Sequence, residues 1–250
     1  MTSPHSPSAA HLDERLDERL DAVLARLDAA AERAGRDPRE ILVLLATKTR
    51  TAPEIVDAVR ALHSRGRRVA VGENRAQEIA THEDPALAAL EAELAVPRHF
   101  IGRLQRNKAR DVVAFASLVH SVDRPEIIDA LARRAELAGL ERDVLVQVNT
   151  SGEESKGGFA PDADTISEAV GRIRAAGTLR PVGLMTIGAH TREESTVRAS
   201  LRRLRTLREE LADPALVELS MGMSSDLEIA VEEGATIVRL GSAVFGPRAV

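Results

Sequence analysis

Apolar residues recur along this chain in two alternating rhythms. Short uninterrupted runs, such as the one in "ILVLLATK" (41–48), read as strands buried on both faces of a parallel sheet. Runs of this kind fall at 41–47, 68–72, 99–102, 117–121, 143–148, 181–187, 216–220 and 236–241. Between them lie stretches with apolar residues at helical spacing, among them 124–139 and 193–212. Pro53, Pro125 and Pro161 stand where such helices can begin. Eight strands alternating with helices predict a parallel α/β architecture, and eight is the number that closes a (β/α)8 TIM barrel. A doubly wound open sheet is the alternative, with its ligand crevice at a single switch point.

Ahead of the first strand, Leu12, Leu16, Leu20, Val23, Leu24 and Leu27 predict one extra amphipathic helix over 11–35, with Gly35 as its C-cap. The repeated "LDER" is too short for a coiled coil. Residues 1–10 read as a disordered tail, so the expected organisation is a tail followed by a single barrel domain over 11–250, its barrel proper spanning 41–250.

Nearly every strand run ends on something polar. Lys48, Glu73, Asn74, Gln105, Asn107, Asp123, Asn149, Thr186, Ser220, Ser224 and Arg239 all follow strands. In a barrel these C-terminal ends converge on one mouth, where active sites of this fold sit. After the seventh run, "LSMGMSSD" offers Gly222 and hydroxyls at Ser220, Ser224 and Ser225; after the eighth, Gly241 and Ser242 follow directly. Loops in those two places commonly hold a phosphate. A lysine amine in an apolar mouth is a nucleophile for aldehydes. A phosphate cradle facing Lys48 therefore suits a phosphorylated aldehyde, of which pyridoxal 5'-phosphate (PLP) is one.

Composition narrows the classes. The net charge of -5 argues against a nucleic-acid binder. Zero cysteines exclude disulfides, thiolate metal sites and a cysteine nucleophile, and fit a reducing cytoplasm. No apolar run reaches the ~18 residues of a membrane span, and "MTSPHSPSAA" lacks the basic start and apolar core of a secretory signal. The expected setting is cytoplasmic, away from membranes. Tyrosine and tryptophan are absent.

Over residues 11–248 the chain resembles the pyridoxal-phosphate homeostasis protein family, barrels similar to the N-terminal domain of alanine racemase (fold-type III PLP proteins). The resemblance rests on "LLATKT", "GEN" with Gln77 and Glu78, "HFIGRLQRNK", "SVD" at 121–123, "VNTSGEESKGG", "GLMTI", "LSMGMSSD" and "VRLGSAVFGPR". It implies a PLP-binding protein engaged in intracellular homeostasis of the cofactor, by storage, buffering or delivery to PLP-dependent apoenzymes, acting as a monomer without turnover. It implies Lys48 as the Schiff-base lysine. Ser220, Met223, Ser224, Gly241 and Ser242 would hold the phosphate, Arg239 would face the pyridine nitrogen, Asn74 would lie near the ring edge and Met185 in the lining. Lys156 matches a second lysine linked to PLP handling; read on its own, it is a solvated loop lysine. The chain departs from the family pattern at Arg50, at Arg75 and in the ending "FGPRAV".

Two other functions compete. A racemase on this barrel needs a base on each face of the cofactor; alanine racemase takes one from a tyrosine of a second domain, and this chain has neither tyrosine nor a segment for such a domain after the last strand. A lysine-dependent aldolase would use Asp123 or Glu73 as its acid–base partner, but its lysine usually stands on a later strand.

Overall fold

The computed structural model describes residues 9–153 and 156–247, with side chains from residue 15 onward. The expected tail lies outside the described residues over 1–8, whereas Ala9 and Ala10 already belong to helix α1 (Ala9–Arg33). Eight strands follow: β1 (Leu42–Ala46), β2 (Val69–Glu73), β3 (Arg98–Phe100), β4 (Leu118–Val122), β5 (Arg142–Gln147), β6 (Leu179–Met185), β7 (Glu218–Ser220) and β8 (Ile237–Leu240). Each pairs parallel to the next, and β8 returns to β1 with Leu42 opposite Ile237 and Leu44 opposite Arg239. The sheet is thus a closed barrel in sequence order, and the open-sheet alternative is excluded.

Helices cover the outside: α2 (Ala52–Ser64), α3 (Pro85–Glu93), α4 (Ala109–Phe115), α5 (Pro125–Ala138), α6 (Ala163–Ala175), α7 (Glu194–Leu211), α8 (Leu227–Glu232) and α9 (Ser242–Phe245). Their starts follow local chemistry. Thr51 caps α2 and Glu54 reaches back to the Thr51 amide at 2.8 Å. Pro125 opens α5, and the Asp162 carboxylate accepts from the Thr165 amide at 2.8 Å to open α6. Strand β6 begins two residues earlier than its apolar run, at Leu179. Pro181 sits inside it and has no N–H to give, and the β5–β6 register shifts beside it, between Val144 and Leu145.

Strand alternation divides the core in two. Residues such as Val43, Leu45, Val71 and Val119 face the helices, while Leu42, Leu44, Ala70, Leu118, Leu145, Met185 and Ile237 fill the barrel interior. Helix α1 packs chiefly on α8 and α9. Arg26 donates to both Glu228 carboxylate oxygens (2.6 and 2.8 Å) and to the Ser224 carbonyl (3.0 Å), and Arg19 donates to the Val244 carbonyl at 2.6 Å. The N-terminal helix therefore braces the loops that follow β7 and β8. Among the described residues no helix is long and apolar enough to cross a membrane.

The end of β2 is held from behind by a buried chain of charge. His82 meets Glu73 through Nε2 (2.8 Å) and Glu91 through Nδ1 (2.6 Å), Arg98 binds the other Glu91 oxygen, and Thr47 donates to Glu73 at 2.6 Å. Burial opposes charge on the His82 ring, but its hydrogen bonds to Glu73 and Glu91 outweigh that and hold its pKa above the ordinary imidazole value. The folded chain thus keeps this proton more tightly than the unfolded chain. The contribution is complete below the unfolded value and lost as pH rises through the raised folded one. The stability advantage of the natural chain over His82→Gln, measured by urea unfolding, is expected to be largest in mild acid and to narrow as pH climbs above ~6.5. An advantage that grows with pH would show the ring to be neutral.

Candidate functional site

Strand β1 delivers Lys48 to the C-terminal mouth. Leu42, Leu44 and Ala46 occupy the inward phase of the strand, and Lys48 continues it one step past the ladder. The turn that carries it is closed by the Arg50 amide donating to the Thr47 carbonyl at 2.9 Å, and Thr49 sits at φ 63°. A β-branched residue in the left-handed region is strained, at a cost of order 1–3 kcal/mol, and such strain concentrates at functional sites. Thr47, bonded to Glu73 and to the Gly72 carbonyl, anchors the turn from below. Among the described residues Lys48 forms no hydrogen bond or salt bridge, so its amine is uncommitted.

Arg239, on β8 next door, is buried inside the barrel. Its Nη1 donates to the carbonyl and hydroxyl oxygens of Ser220, each at 2.8 Å, and its Nη2 donates to the Thr186 carbonyl at 2.8 Å. Burial pushes its pKa down to about 10, with Asp226 pulling the other way, so the guanidinium remains cationic at neutral pH. Three of its five N–H donors are used, leaving Nε–H and one Nη2–H for a ligand.

Beneath Arg239 runs a neutral histidine pair. Ser220 Oγ lies 2.9 Å from His120 Nδ1, and His120 Nε2 lies 3.0 Å from His99 Nδ1. Burial drives His99 to about 3 and His120 well below its ordinary value, the latter also repelled by His99 and Arg239. Donor counting fixes the proton positions: Arg239 gives to Ser220, Ser220 gives its proton to His120, and His120 gives Nε2–H to His99. The Ser220 hydroxyl, expected to serve a phosphate, is turned under the mouth by its inward place opposite Met185 and engaged there by Arg239 and His120. Both histidines escaped the sequence reading as site residues, because inside a continuous apolar run nothing marks a polar residue as inward.

The loops after β7 and β8 meet. Ser224 Oγ accepts from the Ala243 amide at 3.2 Å and lies 3.4 Å from Ser242 Oγ. The approach depends on Gly222, at φ 93°, where an added Cβ would lie 2.4 Å from the Ala230 Cβ. Among the described residues the Ser224 and Ser242 amides have no backbone acceptor. The Met223 amide is committed to Asp226 Oδ1 at 2.7 Å. Gly241 leads into α9, and Met185 is buried in the interior cluster.

Asn74 follows β2 at the level of Lys48, since Ala46 pairs with Gly72. Lys156 Nζ donates to Glu153 Oε1 (2.6 Å) and the Gly188 carbonyl (2.8 Å), and it lines a cavity of about 1000 Å³ with the loop after β6, helices α7 and α8, and Met223 and Ser225 of the loop after β7. An uncommitted lysine, a buried cation with spare donors and a two-serine loop thus surround one opening. That donor set suits an aromatic aldehyde carrying a phosphate.

Comparison with known proteins agrees with the architecture. The family described as "Alanine racemase, N-terminal domain" matches residues 19–249. The pyridoxal phosphate homeostasis protein of Aquifex aeolicus is 42% identical over 234 residues, covering 92% of this chain and 97% of its own. Among solved structures, a protein of unknown function from Bifidobacterium adolescentis superposes with a TM-score of 0.85 at 37% identity, over 97% of this chain and 98% of that one. PipY of Synechococcus elongatus, solved with PLP bound, does so with a TM-score of 0.70 at 30% identity, over 92% of this chain and all (100%) of that one. With the closed barrel, the polar mouth and these likenesses together, the chain belongs to the alanine racemase N-terminal domain family and, within it, to the pyridoxal phosphate homeostasis proteins.

Proposed function

We propose that this protein binds PLP at the barrel mouth and serves its homeostasis, holding the cofactor for storage, buffering or delivery to apoenzymes, without turnover of its own. The observation that carries the reading is the buried Arg239 guanidinium, which keeps two donors free between the strand of Lys48 and the paired serine loops. The names of the relatives and the PLP in PipY support it.

PLP brings an aldehyde that condenses with amines and a pyridine ring that draws electrons from them. Lys48 supplies the amine. Ser224 and Ser242 offer hydroxyls and free amides to the phosphate, with Gly241 allowing close approach. Arg239 would donate to the pyridine nitrogen and, being a cation fixed by Ser220 and Thr186, would oppose its protonation, which weakens the ring as an electron sink. Asn74 and Met185 border the ring. His120 and His99 are neutral and lie beneath Arg239, away from the mouth, so they hold the guanidinium in place and are not available as acids on the open face. The chain has no tyrosine to act there.

Borohydride reduction of the loaded protein followed by peptide mass mapping is expected to find PLP on Lys48, and Lys48→Ala to lose it. Modification elsewhere with Lys48 untouched would reject the assignment. Affinity separates from that linkage: Ser224→Ala with Ser242→Ala should weaken PLP binding by roughly 2–4 kcal/mol while Lys48 still becomes labelled. Equilibrium dialysis showing unchanged affinity would mean that the phosphate lies elsewhere. Absence of turnover is tested with L-alanine in deuterated water, where exchange at the α-carbon should stay far below the enzymatic scale of ~1 per second. Exchange at that rate, abolished in Lys48→Ala, would make the protein an enzyme.

A further inference from the structure

Two of the sequence motifs, "GEN" with Gln77 and "GRLQRNK", have only Asn74 placed in the cofactor site, yet the fold brings them together. Asn74, Arg75 and Gln77 from the loop after β2 line a cavity of about 220 Å³ with Arg103, Gln105 and Lys108 from the loop after β3. Its apolar floor is Phe100 and Leu104. Three cations and three carboxamides line it, and no carboxylate does.

That lining holds cations and no acid. The chain is acidic overall, and about half of its arginines pair with carboxylates, as Arg26, Arg67, Arg172 and Arg198 do. Arg75 and Lys108 form no salt bridge among the described residues, and the one involving Arg103 is a long contact of 3.8 Å to Asp123. The nearest acid on the same loop, Glu78, points back: it accepts from the Arg75 amide at 3.2 Å, and burial together with Glu73 raises its pKa. Glu78 attracts Arg75 and Asp123 attracts Arg103, but no acid lines the cavity itself, so its clustered cations favour an anion joining them.

The cavity is also built on a rigid frame. A Cβ on Gly102 would lie 1.7 Å from the Asn74 carbonyl oxygen, so the two loops touch backbone to backbone. The Ile101 amide donates to the Glu73 carbonyl at 3.0 Å, and the Glu73–His82–Glu91 chain fixes the strand end beneath. Its volume lies below the ~300 Å³ at which pockets take whole drug-sized ligands. It fits the head group of one.

We propose that this cavity is a second anion subsite, separate from the serine loops, which takes the carboxylate or phosphate head of a small metabolite bound beside the cofactor. Position supports it. Strand β1 lies between β8, whose loop carries Ser242, and β2, whose loop carries Asn74, so Lys48 stands between the two subsites. Arginine forks and carboxamide N–H groups are the donors that recognise both head groups. The subsite's place beside a cofactor rests on the proposed function; its anion binding does not.

The test uses the full chain without PLP, titrated in low salt with inorganic phosphate and, separately, succinate, while side-chain amide NMR signals of Gln77 and Gln105 are followed. Either probe is expected to shift those signals, and the tighter of the two names the head group. In Arg103→Gln with Lys108→Gln the same shifts should need roughly tenfold or more probe, while the Ser224 amide still responds to phosphate and PLP loading is unchanged. Lys108→Arg should restore most of the response. Gln77 and Gln105 signals unmoved by both probes, or titrating identically in the double variant, would overturn the proposal. Failure of PLP to load with the glutamine shifts intact would instead count against the proposed function alone.

Discussion

A cation buried at the centre of a barrel, touching no carboxylate, constrains everything around it. Arg239 keeps its charge inside the protein because β6 and β7 present Thr186 and Ser220 oxygens to it in fixed positions. An unpaired buried charge is costly, and charge-assisted hydrogen bonds to preoriented oxygens are what offset that cost. Ser220 can accept from Arg239 only because its own proton has somewhere to go, which is His120, and His120 in turn needs His99. The interior below the mouth is therefore a one-way sequence of donors and acceptors laid through an otherwise apolar filling. Burial keeps the two imidazoles neutral, and the guanidinium, though pushed down to about 10 by the same burial, stays charged at neutral pH.

Much of this was legible in the residue order. Strand positions and the (β/α)8 count came from apolar runs, because a strand buried on both faces cannot disguise itself with polar positions. Lys48 and the serine loops stood out as candidates because many strand ends carry polar residues that a barrel brings to one mouth. Other features were hidden for physical reasons. His99 and His120 lie 21 positions apart and meet only when β3 and β4 pair, so no local spacing announces them. Ser220, offered as a phosphate ligand by its place in "LSMGMSSD", is placed inward by the strand's two-residue alternation, where Arg239 and His120 engage its hydroxyl. The cation-lined cavity was hidden in the same way, its halves separated by a whole helix and strand.

Helix α1 shows how much of the mouth is supported from a distance. Its arginines reach the Ser224 and Val244 carbonyls, so the geometry of the serine loops depends on residues some two hundred positions earlier. Single hydrogen bonds from arginine to carbonyl oxygens contribute modestly each, and the buried apolar face of α1, including Leu20 and Leu27, does the larger part of the holding.

The barrel closes where β8 meets β1, and that junction is the one place where the beginning and the end of the ring are joined. A cofactor held as proposed, on Lys48 on one side and the Ser242 loop on the other, would span this seam like a staple. Ligand bound only by the closed ring shifts the opening equilibrium by mass action, by about 2.7 kcal/mol at a hundredfold excess over its dissociation constant. On the proposed function, the resistance of the protein to proteolysis would then follow the supply of free PLP, so that its abundance in a cell would record the metabolite.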